Sequence, residues 1–477
     1  MRNESTSVEL DSAWILTSTF VIFLMQSGFA LLESGSCTAK NHVNLMMKNV
    51  LDVIIGSIMY WSIGYGLQFG NSKWSNPFCG VGDFFLHKTN YKLFMHFVFQ
   101  LSFASTANTI VSGAVAERCN FYAYCLFCSI FCLIYCIPSG WMWRENGFLN
   151  ALGAIDYCGA TSVHFVGGIA SLVAAYKLKP RLNRYANGWR TPAPKPENAV
   201  NSISGLMFLW WGFFVFNSGS SYGITNGSWE IAARAFIVTL IASVFGGFTS
   251  FIYSQFTVNY VEVSLVINGI LSACVSVCGC AGFIETYDAV YIGVGGSLIT
   301  SLLPKILDRF EIDDPIGAIA VHAGGGLWGT LVVGLSASFD DNVVKHFKYN
   351  EHQRGLFKSG NFNQFGLQVL AAAVICVWTA ITVWIVLSVI NLFLKLRMST
   401  EEETVGGDMW VHGIIANEYL NQLKNCEVML DEEKIAQRLR NVCCQMSIEN
   451  YTKAIANLKR YNIDEIEMEN NPPKSRV

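Results

Sequence analysis

The sequence predicts an all-α polytopic membrane protein with eleven transmembrane helices. Of its 477 residues, 52% are hydrophobic and only 14% are charged, which leaves too little polar surface for a water-soluble globule of this size. Apolar stretches of roughly 17 to 25 residues, long enough to cross a hydrocarbon core as a helix, recur along the chain. They lie near residues 13–32, 45–66, 93–115, 121–140, 153–176, 199–217, 231–256, 260–282, 288–304, 315–335 and 365–394.

The two ends of the chain are predicted to lie on opposite sides of the membrane. The connection between spans five and six is rich in Lys and Arg, which is typical of a cytoplasmic loop. Its basic residues are Lys177, Lys179, Arg181, Arg184, Arg190 and Lys195. We therefore expect a plasma-membrane protein with an extracellular N-terminus (1–12), a transmembrane domain (13–397) and a cytosolic tail (398–477). No cleavable signal peptide is recognisable before the first span.

Three weaker features accompany this topology. Asn3 and Asn226 begin glycosylation acceptor patterns, and both lie on the predicted outer side. Residues from Leu430 onward show some helical periodicity. Four cysteines repeat along one face of span four, where packing is favoured over a metal ladder. They are Cys125, Cys128, Cys132 and Cys136.

A thirteen-residue motif occurs twice, each time in an apolar stretch. DYCGATSVHFVGG begins at Asp156 and DPIGAIAVHAGGG begins at Asp314, and both follow the pattern D-x-x-G-A-x-x-V-H-x-x-G-G. An ionisable side chain is costly inside a membrane, so His164 and His322 are interpreted as functional residues and as each other's partner. An isolated buried histidine would instead be interpreted as a core residue.

The spacing of the two copies predicts an inverted repeat. They open spans five and ten, and five crossings lie between them, so the second copy points the opposite way. Repeat one covers about 13–176, repeat two about 199–335, and a last helix about 365–394. With Asp156 and Asp314 as helix N-caps, and Pro315 at the first helical position, each histidine lies about 12 Å deeper, near the membrane midplane.

Glycines three and four residues after each histidine are expected to let the two helices approach closely, so that the imidazoles meet. They are Gly167, Gly168, Gly325 and Gly326. Two neutral imidazoles that share a hydrogen bond offer one donor and one acceptor to a pore. Ammonia can both donate and accept, whereas an alkali cation has no proton to give. No zinc-binding pattern accompanies the histidines, so neither a metal nor another cofactor is predicted.

Aromatic residues cluster near the outer ends of spans three, four and six. Phe103, Trp143, Phe216 and Ser220 lie there, and their faces and hydroxyl can form a cation-π cup worth about 2 kcal/mol when desolvated. An interfacial aromatic belt is the alternative interpretation. Because burying a bare charge costs many times more, a permeating cation must lose its proton or keep polar partners throughout.

These motifs resemble the ammonium transporter (Amt/Mep/Rh) superfamily, and its ammonium transporter branch most closely. The resemblance covers about residues 10 to 420 and includes FASTANTIVSGAVAER, WWGFFVFNSGS and both histidine motifs. It implies the ammonium transporter fold, a homotrimer with one pore per subunit, and a twin-His pore of His164 and His322. It further implies an ammonium recruitment site of Phe103, Trp143 and Ser220, a gate of Phe103 and Phe216, and a buried acid at Asp156. Asp314 is interpreted as a helix cap only.

The tail carries a partial match to the same family. Arg397, Gly406, Asp408, His412, Gly413 and Tyr419 fit its pattern, whereas Gly407 and Ile414 stand where relatives have Leu and Glu. Phe213 likewise stands where many relatives have Trp. Because the tail pattern is incomplete, coupling between subunits through the tail stays open.

Three functions remain open from the sequence, and none is enzymatic because no nucleophile-base pair or metal motif occurs. The favoured one is an ammonium transporter that recruits ammonium, removes a proton and conducts ammonia, with net charge movement undecided. The second is an electroneutral ammonia or carbon dioxide channel of the Rh kind. The third is an ammonium sensor that signals through an unidentified cytosolic partner of the tail. The bilayer and ammonium are the other expected partners, and no feature indicates nucleic acid.

Overall fold

Helices form the architecture of the part of the chain that the structure describes. This computed structural model describes residues 2–87, 90–193, 195–347, 349 and 351–414. Its long helices are α1 (Arg2–Ser36), α2 (His42–Met59), α3 (Tyr91–Ala114), α4 (Phe121–Trp143), α5 (Val166–Leu178), α6 (Ala199–Gly219), α7 (Ser228–Val258), α8 (Val263–Cys278), α9 (Thr286–Arg309), α10 (Gly325–Ser336) and α11 (Asn363–Phe393). The short helices α12 (Thr400–Val405) and α13 (Gly407–His412) follow. Helix α2 continues as far as Phe69, and wide π-type turns at Ala160–Phe165 and Ile319–Gly324 lead into α5 and α10.

Eight helical segments of the described residues are long and apolar enough to cross a membrane. Helix α3, the segment from Ala160 to Leu178 and α8 lie at the positions of the other three predicted spans. Helix α3 is less apolar because buried polar residues such as Gln100, Thr106 and Asn108 face other helices. The all-helical membrane fold is therefore confirmed, and the count of eleven spans stays a prediction.

The two repeats pack against each other through antiparallel α1 and α6. A Cβ added to Gly28 would lie 3.0 Å from the carbonyl oxygen of Gly205, and one added to Gly205 would lie 2.6 Å from that of Gly28. Gly35 meets Ser202 near one end of this crossing, and Gly219 meets Ser18 near the other. The contacts are reciprocal, as a two-fold relation between the repeats requires.

The same reciprocity holds where the histidine motifs cross. A Cβ on Gly168 would lie 2.1 Å from the backbone nitrogen of Ala323, and one on Gly326 would lie 2.8 Å from that of Phe165. The hydroxyls of Thr161 and Thr330 are 2.8 Å apart beside this crossing. The expected close backbone approach is therefore present in the structure.

The helices that carry the histidines begin later than the sequence analysis predicts. Helical backbone starts at Ala160 and Ile319, after Gly159 and Gly317, which have φ values of 104° and 85°. Glycine adopts such left-handed backbone freely, so the turn falls there and not at the aspartates. The placement of Pro315 at the first helical position and the 12 Å offset from each Asp are therefore wrong.

The two ends of the bundle, the Trp143 end and the Arg181 end, carry different contacts. The Trp143 end also carries Ser220 and the contact between Asp11 and the Ile224 amide, so the start of α1 lies there. The Arg181 end carries the start of the tail, where the Met398 amide donates to the Arg118 carbonyl and Asp408 accepts from the Val43 and Asn44 amides. The tail features predicted beyond residue 414, including Tyr419 and the periodicity from Leu430, lie outside the described residues.

Arg181 joins two buried carboxylates at its end of the bundle. Its guanidinium pairs with Glu117 and, at 2.7 Å, with Asp313. Both carboxylates lie in connections outside the helices, and both are more than nine-tenths buried. Burial opposes their ionisation, but the charge of Arg181 and the hydrogen bonds outweigh it and hold the pKa of each below its usual range.

Replacing Gly168 tests the crossing of the histidine helices. We expect Gly168→Ala to lower the free energy of unfolding by about 1–3 kcal/mol, because its Cβ meets rigid backbone. Gly366→Ala is the matched control, since no atom lies within 4 Å of a Cβ added there. Thermal unfolding of the detergent-purified protein measures both, and equal melting temperatures would contradict the close approach.

Replacing Arg181 tests the charge cluster through its pH dependence. At neutral pH we expect Arg181→Met to lower the free energy of unfolding by about 3–5 kcal/mol, because two buried charges lose their partner. The depressed pKa values stabilise the wild type above the carboxylates' unfolded pKa, and that contribution is lost as pH falls through the folded values. The variant lacks this contribution, so its deficit should shrink on acidification.

The control for this experiment is Arg234→Met, which breaks the more exposed pair with Asp340. An exposed pair contributes only about 0–1 kcal/mol, so this variant should remain close to the wild type. A deficit for Arg181→Met that stays constant between about pH 5 and pH 2 would refute the role given to the two carboxylates.

Candidate functional site

A vestibule with a cavity volume of about 840 Å³ opens at the Trp143 end of the bundle. Phe103, Trp143, Asp156 and Ser220 all line it, so four of the predicted site residues share one cavity. They come from α3, α4, the segment before α5 and the end of α6. The sequence analysis did not identify several other residues that line it, which include His96, Gln100 and Tyr222.

A stacked pair of phenylalanines closes the floor of the vestibule. The ring centroids of Phe103 and Phe216 are 4.0 Å apart, with an angle of 25° between the planes. Both side chains are almost fully buried. The edge of Trp143 meets Phe103 at 5.9 Å, which completes an aromatic wall. No hydrated ion fits between rings at van der Waals contact.

The polar groups around this wall are oriented by the backbone. The Trp143 indole nitrogen donates to the Asp156 carbonyl at 2.8 Å, and the Ser220 hydroxyl donates to the Phe216 carbonyl at 2.9 Å. Both donors are therefore already used. What remains for a ligand is the π face of the rings and the lone pairs of Ser220, and both attract cations.

The two histidines meet directly beneath Phe216. The Nδ1 atoms of His164 and His322 are 3.2 Å apart, and the rings are 5.2 Å apart with 23° between their planes. The His164 ring lies 5.6 Å from that of Phe216. One Nδ1 must donate and the other accept, so the shared bond is incompatible with two imidazolium ions.

The side chain of His164 is enclosed by protein, whereas that of His322 borders a second cavity. His164 is fully buried, and its Nε2 lies 3.7 Å from the Cys278 thiol. His322 keeps 6% exposure and lines the inner cavity, a small space of about 30 Å³ on the side of the Arg181 end. Phe29 lies beside it, with its ring 6.4 Å from that of His322. Rings and imidazoles thus form one continuous line between the two cavities.

Both aspartates of the repeated motif hold the start of a helix, but unequally. The Asp156 carboxylate accepts from the Gly159, Thr161 and Ser162 amides and from the Ser162 hydroxyl, at 2.8 to 3.1 Å. Asp314 accepts from the Ile319 and Ala320 amides only, and its Oδ1 has no hydrogen-bond partner within the described structure. Capping by side chain is therefore common to both, and only Asp156 also lines the vestibule.

The sequence analysis overlooked Glu33, a buried carboxylate on α1 that lines the inner cavity. Its signal was present, since an ionisable residue in a transmembrane helix is by default functional. The predicted first span ends at residue 32, one residue before Glu33. Across residues 2–414, apart from the few that are not described, no three His, Cys, Asp or Glu side chains converge as a metal site would.

Replacing the two aspartates separates their contributions to the helix starts. We expect Asp156→Ala to lower the free energy of unfolding by about 2 kcal/mol and Asp314→Ala by about 1 kcal/mol, because losing a cap costs about 0.5–2 kcal/mol and Asp156 accepts more bonds. Thermal unfolding of both variants measures the order. A larger loss for Asp314→Ala would contradict the unequal capping.

Comparison with known proteins agrees with this geometry. The Ammonium Transporter Family profile matches residues 13–417. Putative ammonium transporter 3 of Caenorhabditis elegans is 39% identical over 85% of this chain, which spans 60% of that protein's length. Ammonium transporter 1 member 3 of Solanum lycopersicum is 31% identical over 86% of this chain and 93% of its own.

Solved structures agree as well. A Sensor Amt Protein superposes with a TM-score of 0.78 at 29% identity, over 86% of this chain and 99% of its own. Saccharomyces cerevisiae Mep2 superposes with a TM-score of 0.75 at 25% identity, over 82% of this chain and 88% of its own. The chain therefore belongs to the Ammonium Transporter Family, whose members are transporters and not enzymes.

Proposed function

We propose that the protein recruits ammonium in the vestibule, removes one proton and conducts ammonia past His164 and His322. The observation that supports this proposal is a continuous series of neighbouring rings between the two cavities. It runs from the vestibule through Phe103, Phe216 and the two imidazoles to the inner cavity. The line offers aromatic faces at its entrance and neutral hydrogen-bonding groups at its centre. This order matches a cargo that enters as a cation and crosses as a neutral molecule.

The energetics of the line support loss of a proton. A desolvated cation-π contact contributes about 2 kcal/mol, which recruits ammonium but falls far short of the cost of burying its charge. The carboxylate of Asp156 adds a negative charge at the vestibule, although its hydrogen-bond acceptors are engaged by the α5 helix start. Beyond the stacked rings, ammonia can exchange donor and acceptor roles with the imidazoles. Potassium has no proton to lose, so the same line excludes it.

We further propose that the Trp143 end faces outward in the plasma membrane and that the chain forms homotrimers. The basic residues between α5 and α6 support this orientation through the positive-inside rule. Asn226 is exposed near the Trp143 end, which is compatible with the predicted glycosylation. Many large apolar side chains on the outer helix faces are exposed in a single subunit, as lipid contact or subunit contact requires.

Sensing is a second candidate function, because a solved protein named as a sensor superposes over most of this chain. The attachment of α12 and α13 to the loops at the Arg181 end would carry a change in the bundle to the tail. Measuring ammonium uptake distinguishes transport from sensing. Transport predicts ammonium accumulation in cells that lack their own ammonium transporters, whereas a pure sensor predicts binding without accumulation.

Substituting the histidines tests the proposed pore. We expect His164→Ala and His322→Ala each to reduce ammonium uptake about tenfold or to admit potassium, because a polar partner in the pore is worth about 1–3 kcal/mol. His87→Ala, which removes an exposed imidazole outside both cavities, is the matched control. Uptake and potassium flux in cells measure both effects. Wild-type uptake with potassium exclusion in both pore variants would refute the proposal.

A further inference from the structure

A second internal repeat, ESGS at residues 33–36 and NSGS at residues 217–220, lies at the ends of α1 and α6. The packing makes the two segments equivalent, because Gly35 meets Ser202 as Gly219 meets Ser18. Glu33 and Asn217, each two residues before its glycine, therefore occupy corresponding positions. The second copy supplies Ser220 to the vestibule, whereas the first copy supplies Glu33 to the inner cavity.

Each member of this pair lies on the side of one histidine. Asn217 accepts from the Cys278 thiol at 3.1 Å, and that thiol is 3.7 Å from His164. Glu33 and His322 line the same inner cavity. The two-fold relation between the repeats exchanges the positions of the two histidines. Glu33 therefore has the same position relative to His322 as Asn217 has relative to His164. Of this pair of corresponding residues, only Glu33, on the side of His322, is an acid.

The hydrogen bonds of Glu33 leave acceptor capacity unused. One carboxylate oxygen accepts from the Ser112 hydroxyl, and the other accepts from the Asn49 side-chain nitrogen at 2.9 Å. An ionised carboxylate has about four acceptor positions, so two of them remain for a ligand. Asp156, in contrast, accepts four bonds from its own helix start.

The neighbouring amide is able to accommodate both protonation states of Glu33. The Asn49 Oδ1 is buried and has no hydrogen-bond partner among the described residues. Rotation of this amide by half a turn would present Oδ1 to the carboxyl group, where it accepts the proton of the neutral acid. The rotation gives up the hydrogen bond that the Asn49 nitrogen donates to the Leu45 carbonyl at 3.0 Å.

We propose that the inner cavity is a second ammonium site, in which Glu33 returns a proton to ammonia and then holds the ammonium cation. This inference rests on the proposed transport of ammonia past His322. Ammonia uses its lone pair to form the new N–H bond, the O–H bond of the neutral Glu33 breaks, and its electron pair stays on the carboxylate. Ammonium leaves towards the Arg181 end, and a hydronium ion of the adjoining solution protonates Glu33 again.

The test measures the initial uptake of isotope-labelled ammonium into vesicles of uniform orientation that contain no ammonium and a set internal pH. For the wild type we expect the rate to rise as internal pH falls from about 8 to about 6. For Glu33→Gln we expect a rate about tenfold lower that no longer responds to internal pH. General acid catalysis contributes about 10²–10⁴-fold, and water, whose concentration does not change with pH, replaces part of it as the acid. The concentration of half-saturation on the outer side should stay unchanged.

Two further variants distinguish proton transfer from packing. Glu33→Asp keeps a carboxyl group and should restore part of the rate together with its pH response. Asp52→Asn removes another fully buried carboxylate, which bonds Tyr124 and does not line the inner cavity, and should keep the pH response. Thermal unfolding of all variants shows whether each is folded.

The outcomes separate this inference from the function on which it rests. If the wild type does not take up ammonium, the proposed function fails and this inference fails with it. If the wild type transports and Glu33→Gln keeps its rate and pH response, only the second ammonium site is refuted. Equal loss in Glu33→Gln, Glu33→Asp and Asp52→Asn, with lowered melting temperatures, would assign Glu33 a packing role and also overturn the proposal.

Discussion

The close crossing of the two histidine helices is the constraint on which the rest of the site depends. Packed helices usually lie 8–10 Å apart, with a layer of side chains between them. Here Gly168 and Gly326 remove that layer on both sides, so the backbone of one helix lies against that of the other. Only at such a short separation do the Nδ1 atoms of His164 and His322 come within 3.2 Å. The contact between the two histidines and the packing of the bundle therefore depend on the same glycines.

The backbone of both motif segments is non-helical just before this crossing. Both motif segments enter as non-helical chain, turn at a glycine of positive φ and form a wide π-type turn that contains the histidine. Non-helical backbone is tolerated at membrane depth only where protein groups satisfy it. Asp156 and Asp314 do this by accepting amide protons of the helix starts. Their conformational role therefore accounts for the repeated acid, before any role in transport.

The sequence predicted the fold class and the helices of the protein better than its non-helical segments. Hydropathy and the repeated motif predicted an all-helical membrane protein and the meeting of the histidines, because both depend on patterns of fixed period. The helix starts were misplaced, since a glycine's positive φ cannot be distinguished in the sequence from a glycine in a helix. Glu33 was missed because it falls at the edge of an apolar run, and its relation to Asn217 becomes visible only through the contacts of Gly35 and Gly219.

The inverted repeat imposes symmetry on the backbone, whereas the side chains at the two ends differ. The chain keeps the glycines and histidines in both copies and changes the residues around them. The vestibule has aromatic faces, Ser220 and an Asp156 that is already saturated with hydrogen bonds. The inner cavity has Glu33, with acceptor capacity to spare, and fewer aromatic rings. Under the proposed function, this difference would let a cation be attracted without being held tightly at one end, while a titratable acid meets the neutral molecule at the other.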